Sequence, residues 1–232
     1  DLAFVSHALA IVVSVMVLSW SISYRGGFAW ESTNKSLIFN LHPVLMLIGF
    51  VILGGETIIS YKSLPFERQV KKKIHFALHL IALILGIFGI ITAAKNHNEL
   101  NIPNFYSLHS WIGFVVICLY ISQLKYSYVI FFYHRVTEAE RSHMLPLHVS
   151  TGLFIFVLAI GNSALGFVEK VTLMENSGLD RYGSEAFLVN IMALITIIFG
   201  LFVVLTVFAK TPPSSDEDND SYSATRSALL AC

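Results

Sequence analysis

The chain has few charged residues and few cysteines. Asp, Glu, Lys and Arg make up 13% of its 232 residues, and the formal net charge is zero. Bulk charge therefore gives no reason to expect a nucleic-acid partner. The two cysteines, Cys118 and Cys232, do not suggest a disulfide framework. The first apolar stretch is too long for a removable signal peptide and lacks a small-residue cleavage site, so none is expected.

Long apolar runs dominate instead. Hydrophobic residues make up 55% of the chain, and the mean hydropathy is +0.69. The runs are continuous, unlike the short alternating segments of a transmembrane barrel, and long enough for membrane-spanning helices. We predict an all-α integral membrane protein with one domain at residues 1–210 and a disordered cytosolic tail at 211–232. The six predicted spans are approximately Leu2–Tyr24, Leu41–Tyr61, Ile74–Ala94, Leu108–Tyr128, Leu145–Val168 and Ala186–Ala209.

The distribution of Lys and Arg predicts the orientation. The second and fourth loops and the C-terminal tail carry most of them, and the remaining loops carry fewer. The positive-inside rule then places both termini and these two loops in the cytosol. The cytosolic group comprises Lys62, Arg68, Lys71, Lys72, Lys73, Arg135, Arg141, Lys210 and Arg226, and the opposite group comprises Arg25, Lys35, Lys95, Lys170 and Arg181.

Four histidines stand at the N-terminal ends of four successive apolar runs: His42, His75, His109 and His148. Because successive helices alternate in direction, His42 and His109 are expected near the outer face, and His75 and His148 near the cytosolic face. Two facing imidazoles can ligate one haem iron. Two such layers in a bilayer would lie on the order of 20 Å apart. The chain has no C-x-x-C-H, so such haem would be bound non-covalently.

Several residues near these layers leave alternatives open. His79 lies one turn from His75 and is an alternative ligand, although His75 better matches the depth of His148. Glu56, inside the second run, needs a partner, which is either Lys62 or a haem-linked proton path. Three glycines on ligand faces would leave room for haem: Gly49, Gly113 and Gly152. Three further histidines receive no role: His7, His134 and His143.

Five short motifs carry a family resemblance over residues 24–208: Tyr24–Gly27, Phe39–Pro43, Tyr106–Trp111, Leu145–His148 and Gly183–Ala186. They resemble the cytochrome b561 family of ascorbate-dependent transmembrane reductases. The resemblance implies six helices, a central four-helix bundle of helices 2–5 with two haem b groups, and a homodimer. It also implies that the outer-haem ligands are His42 and His109, and that the inner-haem ligands are His75 and His148.

The same resemblance implies two substrate sites. Cytosolic ascorbate would bind Arg68, Lys72 and Arg141, in basic loops that also attract an anion on electrostatic grounds. The non-cytosolic acceptor, monodehydroascorbate or ferric iron, would contact His97 and Tyr106. The alternatives are that the basic residues only set topology and contact anionic lipid, and that Tyr106 is an interfacial anchor. Asn96 stands where relatives can have an aromatic residue.

This activity would make the chain an oxidoreductase in a vesicle, vacuolar, lysosomal or plasma membrane. Two other functions compete with it. A non-haem iron oxygenase would use clustered histidine boxes at one face, whereas these histidines divide between two faces. A metal or proton transporter would need acidic residues along a midplane path. Apart from Glu56, the predicted spans are nearly free of carboxylates.

Overall fold

A computed structural model describes residues 2–133 and 135–209. The tail predicted at 211–232 lies outside these residues. Six long apolar helices, each long enough to cross a membrane, account for most of the described chain. They are α1 (Leu2–Tyr24), α2 (Ser36–Ser63), α3 (Arg68–Leu100), α4 (Leu108–Phe132), α5 (Glu138–Asn176) and α6 (Ser184–Phe208). The six-helix, all-α prediction is confirmed.

Three helices extend well beyond their apolar runs, because a helix continues through the polar interface wherever its backbone can still form hydrogen bonds. The extension is largest in α5. This helix begins with a capping box, in which the Thr137 hydroxyl and the Glu140 side chain exchange hydrogen bonds with each other's backbone N–H. Pro146 therefore lies inside α5, and the predicted start of this helix near Leu145 is wrong.

Helix α2 contains an irregular segment. Between Leu45 and Ile52 its turns are widened to the π type, in which one additional residue is accommodated. Gly49 in this segment allows α2 to approach α3 closely, because a Cβ at this position would lie 2.6 Å from the Cβ of Leu85. Gly86 on α3 makes the reciprocal approach to Phe50. The wide turns of α2 are thus held directly against α3.

The helices pack as neighbours around a continuous apolar core. Contacts join α2 to α3, α3 to α4, α4 to α5, and α5 back to the wide turns of α2, while α1 and α6 pack on each other along one side. Buried side chains from several helices fill the centre, among them Val13, Phe50, Ile117, Phe156 and Phe199. We call the end that carries Arg68, Lys72 and Arg141 the basic end.

Candidate functional site

The structure brings the four predicted histidines together as two pairs. The ring centres of His42 and His109 lie 6.2 Å apart, with the rings at 88° to each other. The ring centres of His75 and His148 are also 6.2 Å apart, at an angle of 66°. These are the two pairs that the alternation of helix direction predicts.

The spacing within each pair fits a metal ion between two imidazoles. With a metal–nitrogen distance of about 2.0 Å, and a ring nitrogen about 1.2 Å from the ring centre, two opposed imidazole ligands have centres about 6.4 Å apart. The observed 6.2 Å matches this value in both pairs. The chain thus has two bis-histidine arrangements of the kind that ligates haem iron.

Hydrogen bonds fix the orientation of these rings. The Nδ1–H of His42 donates to the carbonyl of Gly89, that of His75 to the carbonyl of Thr57, and that of His109 to the carbonyl of Asn162. Each of these bonds is 2.9 Å long. A backbone carbonyl can only accept, so the Nε2 of each ring keeps its lone pair for a ligand.

His148 is held through side chains instead. Its Nδ1 lies 2.9 Å from the hydroxyl of Ser127 and 3.0 Å from the side-chain amide nitrogen of Gln123, and the Ser127 hydroxyl donates to the backbone carbonyl of Gln123 at 2.6 Å. The Gln123 side-chain amide donates to the carbonyl of His148 at 2.9 Å. These two supporting residues were not predicted from the sequence.

A regular spacing along the helices explains how each ring finds its partner. Helix α3 carries His75 and, further along, Gly89, whose carbonyl holds His42. Helix α5 carries His148 and, at the same interval, Asn162, whose carbonyl holds His109. The interval is close to four full turns, or about 21 Å of helix, so both groups lie on one face.

The same logic extends to α2 and α4. In α4, Gln123 follows His109 at the same interval and supports His148. In α2, Thr57 follows His42 at an interval longer by a single position and holds His75, and the wide turns of α2 lie between them. Each of the four helices therefore carries one histidine for one layer and a hydrogen-bonding group for the other. This spacing is visible in the sequence but was not recognised there.

Glycines near the pairs do not all have the predicted role. The space beside Gly49 is filled by Leu85, so the expectation that this glycine leaves room for haem is wrong. Gly113 and Gly152 instead face the side-chain amides of Asn162 and Gln123, at 3.1 and 3.8 Å from a built Cβ. Gly166, which the sequence analysis did not single out, lies against His109, and its Cβ would come within 2.7 Å of that ring.

His79 does not replace His75 in the pair. Its Nδ1 lies 2.5 Å from the Tyr120 hydroxyl, and its ring lies edge-on to His75 with centres 4.5 Å apart. The ring of Tyr120 in turn packs 4.9 Å from that of Phe50. His79 therefore packs behind the ring of His75, whereas His75 faces His148.

The three residues proposed to bind ascorbate lie together at the basic end. The positive charges of Arg141 and Arg68 repel the ammonium of Lys72. This ammonium donates a hydrogen bond to the Phe131 carbonyl at 3.2 Å. Arg141 donates to the Tyr133 carbonyl at 3.1 Å. The Phe131 ring also packs against His148, with centres 5.2 Å apart. The cations thus border the inner histidine pair and would attract an anion there.

At the other end, His97 and Tyr106 lie together, with ring centres 6.0 Å apart. Partial burial and a hydrogen bond to the Glu169 carboxylate both raise the pKa of the Tyr106 hydroxyl above its usual value, so this hydroxyl stays a donor. Asn96 is buried, and its amide donates to the Lys35 carbonyl at 2.8 Å. Asn96 therefore makes a structural contact at the position where relatives can have an aromatic residue.

Glu56 has a partner that the sequence analysis did not consider. Its Oε2 lies 2.5 Å from Nδ1 of His7 on α1. Lys62, one of the two alternatives, points elsewhere, because its ammonium donates to the carbonyls of Thr206, Val207 and Ala209 at the end of α6. His7, which received no role from the sequence, thus forms a polar contact inside the membrane spans.

Within residues 2–133 and 135–209, the structure contains no group of three or more His, Cys, Asp or Glu side chains arranged to hold a bare metal ion. Paired histidines instead fit a cofactor that supplies the remaining four ligands itself, as haem does.

Comparison with known proteins agrees with the geometry. Residues 41–174 match the family model for eukaryotic cytochrome b561. The chain is 63% identical over 227 residues to transmembrane ascorbate ferrireductase 1 of Arabidopsis thaliana, covering 95% of both chains. It is 54% identical to ascorbate-specific transmembrane electron transporter 1 of Zea mays, covering 89% of this chain and 88% of the relative. It is also 32% identical to transmembrane ascorbate-dependent reductase CYB561 of Sus scrofa, covering 91% and 84%. The chain belongs to the eukaryotic cytochrome b561 family.

Proposed function

We propose that this chain is an ascorbate-dependent transmembrane oxidoreductase. It takes electrons from cytosolic ascorbate and delivers them, by way of two non-covalent haem b groups, to monodehydroascorbate or ferric iron on the other side of the membrane. His42 and His109 would ligate the outer haem, and His75 and His148 the inner one. The orientation with both termini in the cytosol and a homodimeric assembly belong to the same proposal, in an endomembrane or the plasma membrane.

One observation carries this proposal: the chain has two histidine pairs of equal spacing, one at each end of the helices that hold them. Each ring is oriented by a hydrogen bond at Nδ1. Along α3 and α5 the two levels are separated by about four turns, or about 21 Å of helix. Two redox centres so separated make a path across the bilayer rather than one binuclear site. When bound, each haem supplies a centre that accepts and releases one electron.

The side chains at the two ends supply binding and orientation. At the basic end, Arg68, Lys72 and Arg141 would hold the ascorbate anion through charge-assisted hydrogen bonds, next to the ring of Phe131 that packs on His148. At the opposite end, the imidazole of His97 and the hydroxyl of Tyr106 would contact the acceptor. Neither set needs to perform covalent chemistry, since the reaction is the transfer of single electrons.

Reconstituted vesicles test the proposal directly. Ascorbate is sealed inside vesicles whose protein has its basic end facing inwards, and a ferric chelate or monodehydroascorbate is added outside. We expect reduction of the external acceptor together with haem absorbance changes. Vesicles carrying a His42→Ala, His109→Ala double variant are the matched control and should stop transfer to the outside. A colourless folded protein, or equal transfer by the double variant, would contradict the proposal.

A further inference from the structure

A histidine–glutamate pair lies inside the membrane spans and shares no residue with the two candidate haem-binding pairs. His7 of α1 and Glu56 of α2 contact each other at 2.5 Å, and their side chains are 39% and 24% exposed. They border a cleft of about 450 Å³ between the two helices, whose other lining side chains are mainly aliphatic. Ionisable side chains inside membrane spans cost free energy, so those that are present usually have a function.

The pair has capacity for an additional proton. Glu56 Oε1 is buried and accepts no hydrogen bond in the described part of the chain. With one proton between His7 Nδ1 and Glu56 Oε2, the pair has a net charge of −1. A second proton on His7 Nε2 gives an imidazolium–carboxylate pair of net charge zero. Proton uptake therefore preserves the hydrogen bond that joins the two helices.

Glu56 also lies near the inner histidine pair, through the residue that follows it. The next residue is Thr57, whose carbonyl accepts the Nδ1–H of His75 at 2.9 Å. A negative charge added at the His75–His148 pair would therefore act on His7 and Glu56 through a medium that screens poorly. For two charges on the order of 10 Å apart, this interaction changes a proton affinity about tenfold.

The surrounding helices offer few competing charges. On the helices that pack around His7 and Glu56, the titratable side chains closest to this level along each helix are Tyr61 and Lys62 on α2, and His75 and His79 on α3. The Lys62 ammonium is directed to the carbonyls at the end of α6, and α6 has no titratable side chain from Ala186 to Phe208. In the described structure the Glu56 carboxylate is thus paired with His7.

We propose that His7 and Glu56 form a proton-binding site coupled to reduction at the His75–His148 pair, an inference that rests on the proposed function. An ascorbate monoanion that gives up one electron also releases one proton and becomes the monodehydroascorbate radical anion. The electron goes to the inner centre, and a proton from the cytosolic solution binds His7 Nε2. When the electron leaves towards the outer centre, this proton is released, so the charge near Glu56 balances at each stage.

The pH dependence of the inner-haem reduction potential tests this inference, with purified protein in lipid nanodiscs at pH 6–8. Raising the pH removes the compensating proton from the His7–Glu56 pair, so the electron affinity of the inner haem should fall as the pH rises. Because reduction changes the proton affinity of the site about tenfold, the electron affinity of the inner haem should fall by up to about tenfold in total across this pH range, which corresponds to about 59 mV for a one-electron couple. In Glu56→Gln and in His7→Gln the fall should be less than about twofold in total across the same pH range.

Two further variants serve as controls. Glu56→Asp keeps a carboxylate and should keep most of the pH dependence. Glu99→Gln removes a carboxylate that pairs with Lys35 and Lys95 at the end of α3 opposite the basic end, and should leave the inner potential unchanged at every pH. If Glu56→Gln fails to fold, His7→Gln alone decides.

The outcomes separate this inference from the proposed function. A wild-type inner haem whose potential does not change with pH, or a wild-type slope in both Glu56→Gln and His7→Gln, would overturn the proton site alone. Failure of ascorbate to reduce the wild-type protein at any pH would instead overturn the proposed function. Loss of the slope in both variants, with haem content and ascorbate reduction intact, is the expected result.

Discussion

At the residue scale, the histidines are distinguished by what their Nδ1 atoms contact. The three rings of His42, His75 and His109 donate to backbone carbonyls, which have no proton to exchange and so fix one tautomer. His79 contacts a tyrosine hydroxyl and His7 a carboxylate, and both of these partners can themselves gain or lose a proton. The environment of Nδ1 thus separates three of the four candidate haem ligands from His79 and His7, whereas His148 is held by side chains.

The first prediction concerns the outer pair. We expect His42→Ala to remove the outer haem and leave the inner one reducible by ascorbate, because the two pairs share no ligand. The measurement is haem content per chain, together with absorbance spectra after ascorbate addition. His97→Ala, at the same end of the molecule, should retain both haems. Loss of the inner haem alone in His42→Ala would show that the assignment of the layers is wrong.

A second prediction distinguishes His75 from its neighbour His79. His75→Ala should reduce the haem content from two to one per chain, since the ring that faces His148 is lost. His79→Ala should retain two haems, because His79 packs edge-on to His75 and it is His75 that lies opposite His148. Haem content determined chemically on both purified variants gives the answer. The reverse outcome would make His79 the ligand.

A third prediction concerns the basic end. Lys72→Ala should raise the KM for ascorbate about tenfold, since a hydrogen bond to a charged group contributes about 1.5 kcal/mol. Arg141→Ala should have a similar effect, and haem content should stay at the wild-type value in both. Steady-state reduction of the haems by ascorbate measures the KM. Lys125→Ala, which removes an exposed cation from α4, is the control, and an equal increase in KM there would indicate a bulk charge effect.

At the scale of the helix, the repeated interval between histidine and supporting group is the main result. A helix that carries a histidine for one layer must present its second polar group on the same face, and nearly four complete turns achieve this. Helix α2 reaches the same alignment with one position more and a stretch of wide turns. Each helix thus carries both a candidate ligand and a supporting group, so a shift of one helix along its axis would disturb both histidine pairs at once.

Gly166 on α5 provides the fourth prediction. In Gly166→Ala the added methyl group would meet the His109 ring at 2.7 Å, a distance that forces the ring away from His42. We expect loss of most of the outer haem and retention of the inner one, measured by haem content and difference spectra. Gly161→Ala on the same helix, where a Cβ would meet nothing within 4 Å, should bind both haems. Equal haem content in the two variants would contradict this account.

At the scale of the whole molecule, α1 and α6 are joined to each other at the end opposite the basic one. The Glu185 carboxylate at the start of α6 accepts from the Trp20 indole N–H at 2.9 Å and pairs with Arg25. Arg25 follows the last turn of α1, where Gly26 and Gly27 reverse the chain with positive φ values of 77° and 93°. This contact holds the end of α1 that lies opposite the basic end against the start of α6.

The fifth prediction follows from this contact. Glu185→Ala should destabilise the protein by roughly 3 kcal/mol, because it leaves the largely buried Arg25 without its counter-charge. For a domain of this size, this lowers Tm by about 6–12 °C, which thermal unfolding in detergent would measure. Arg181→Ala removes the 73% exposed partner of Glu175 and should change stability by no more than about 0.5 kcal/mol. Equal effects of the two variants would show that the Glu185 contact contributes little.

The sequence by itself determined the class of fold and the composition of the histidine pairs. Runs of about 20 apolar residues leave a lipid-embedded backbone no alternative to helices, and alternation of helix direction assigns His42 to His109 and His75 to His148. The helix ends were less accurate, as Pro146 shows, because a helix continues into water for reasons of local capping rather than hydropathy.

Only the tertiary structure decided what surrounds these residues. The carbonyls of Gly89, Thr57 and Asn162 are chemically like every other carbonyl in the sequence, and they become specific partners only where one helix packs against another. Likewise, His7 and Glu56 are far apart in the sequence and meet because α1 lies beside α2. Pattern along the chain specifies which groups face the interior, whereas packing between helices specifies which of them touch.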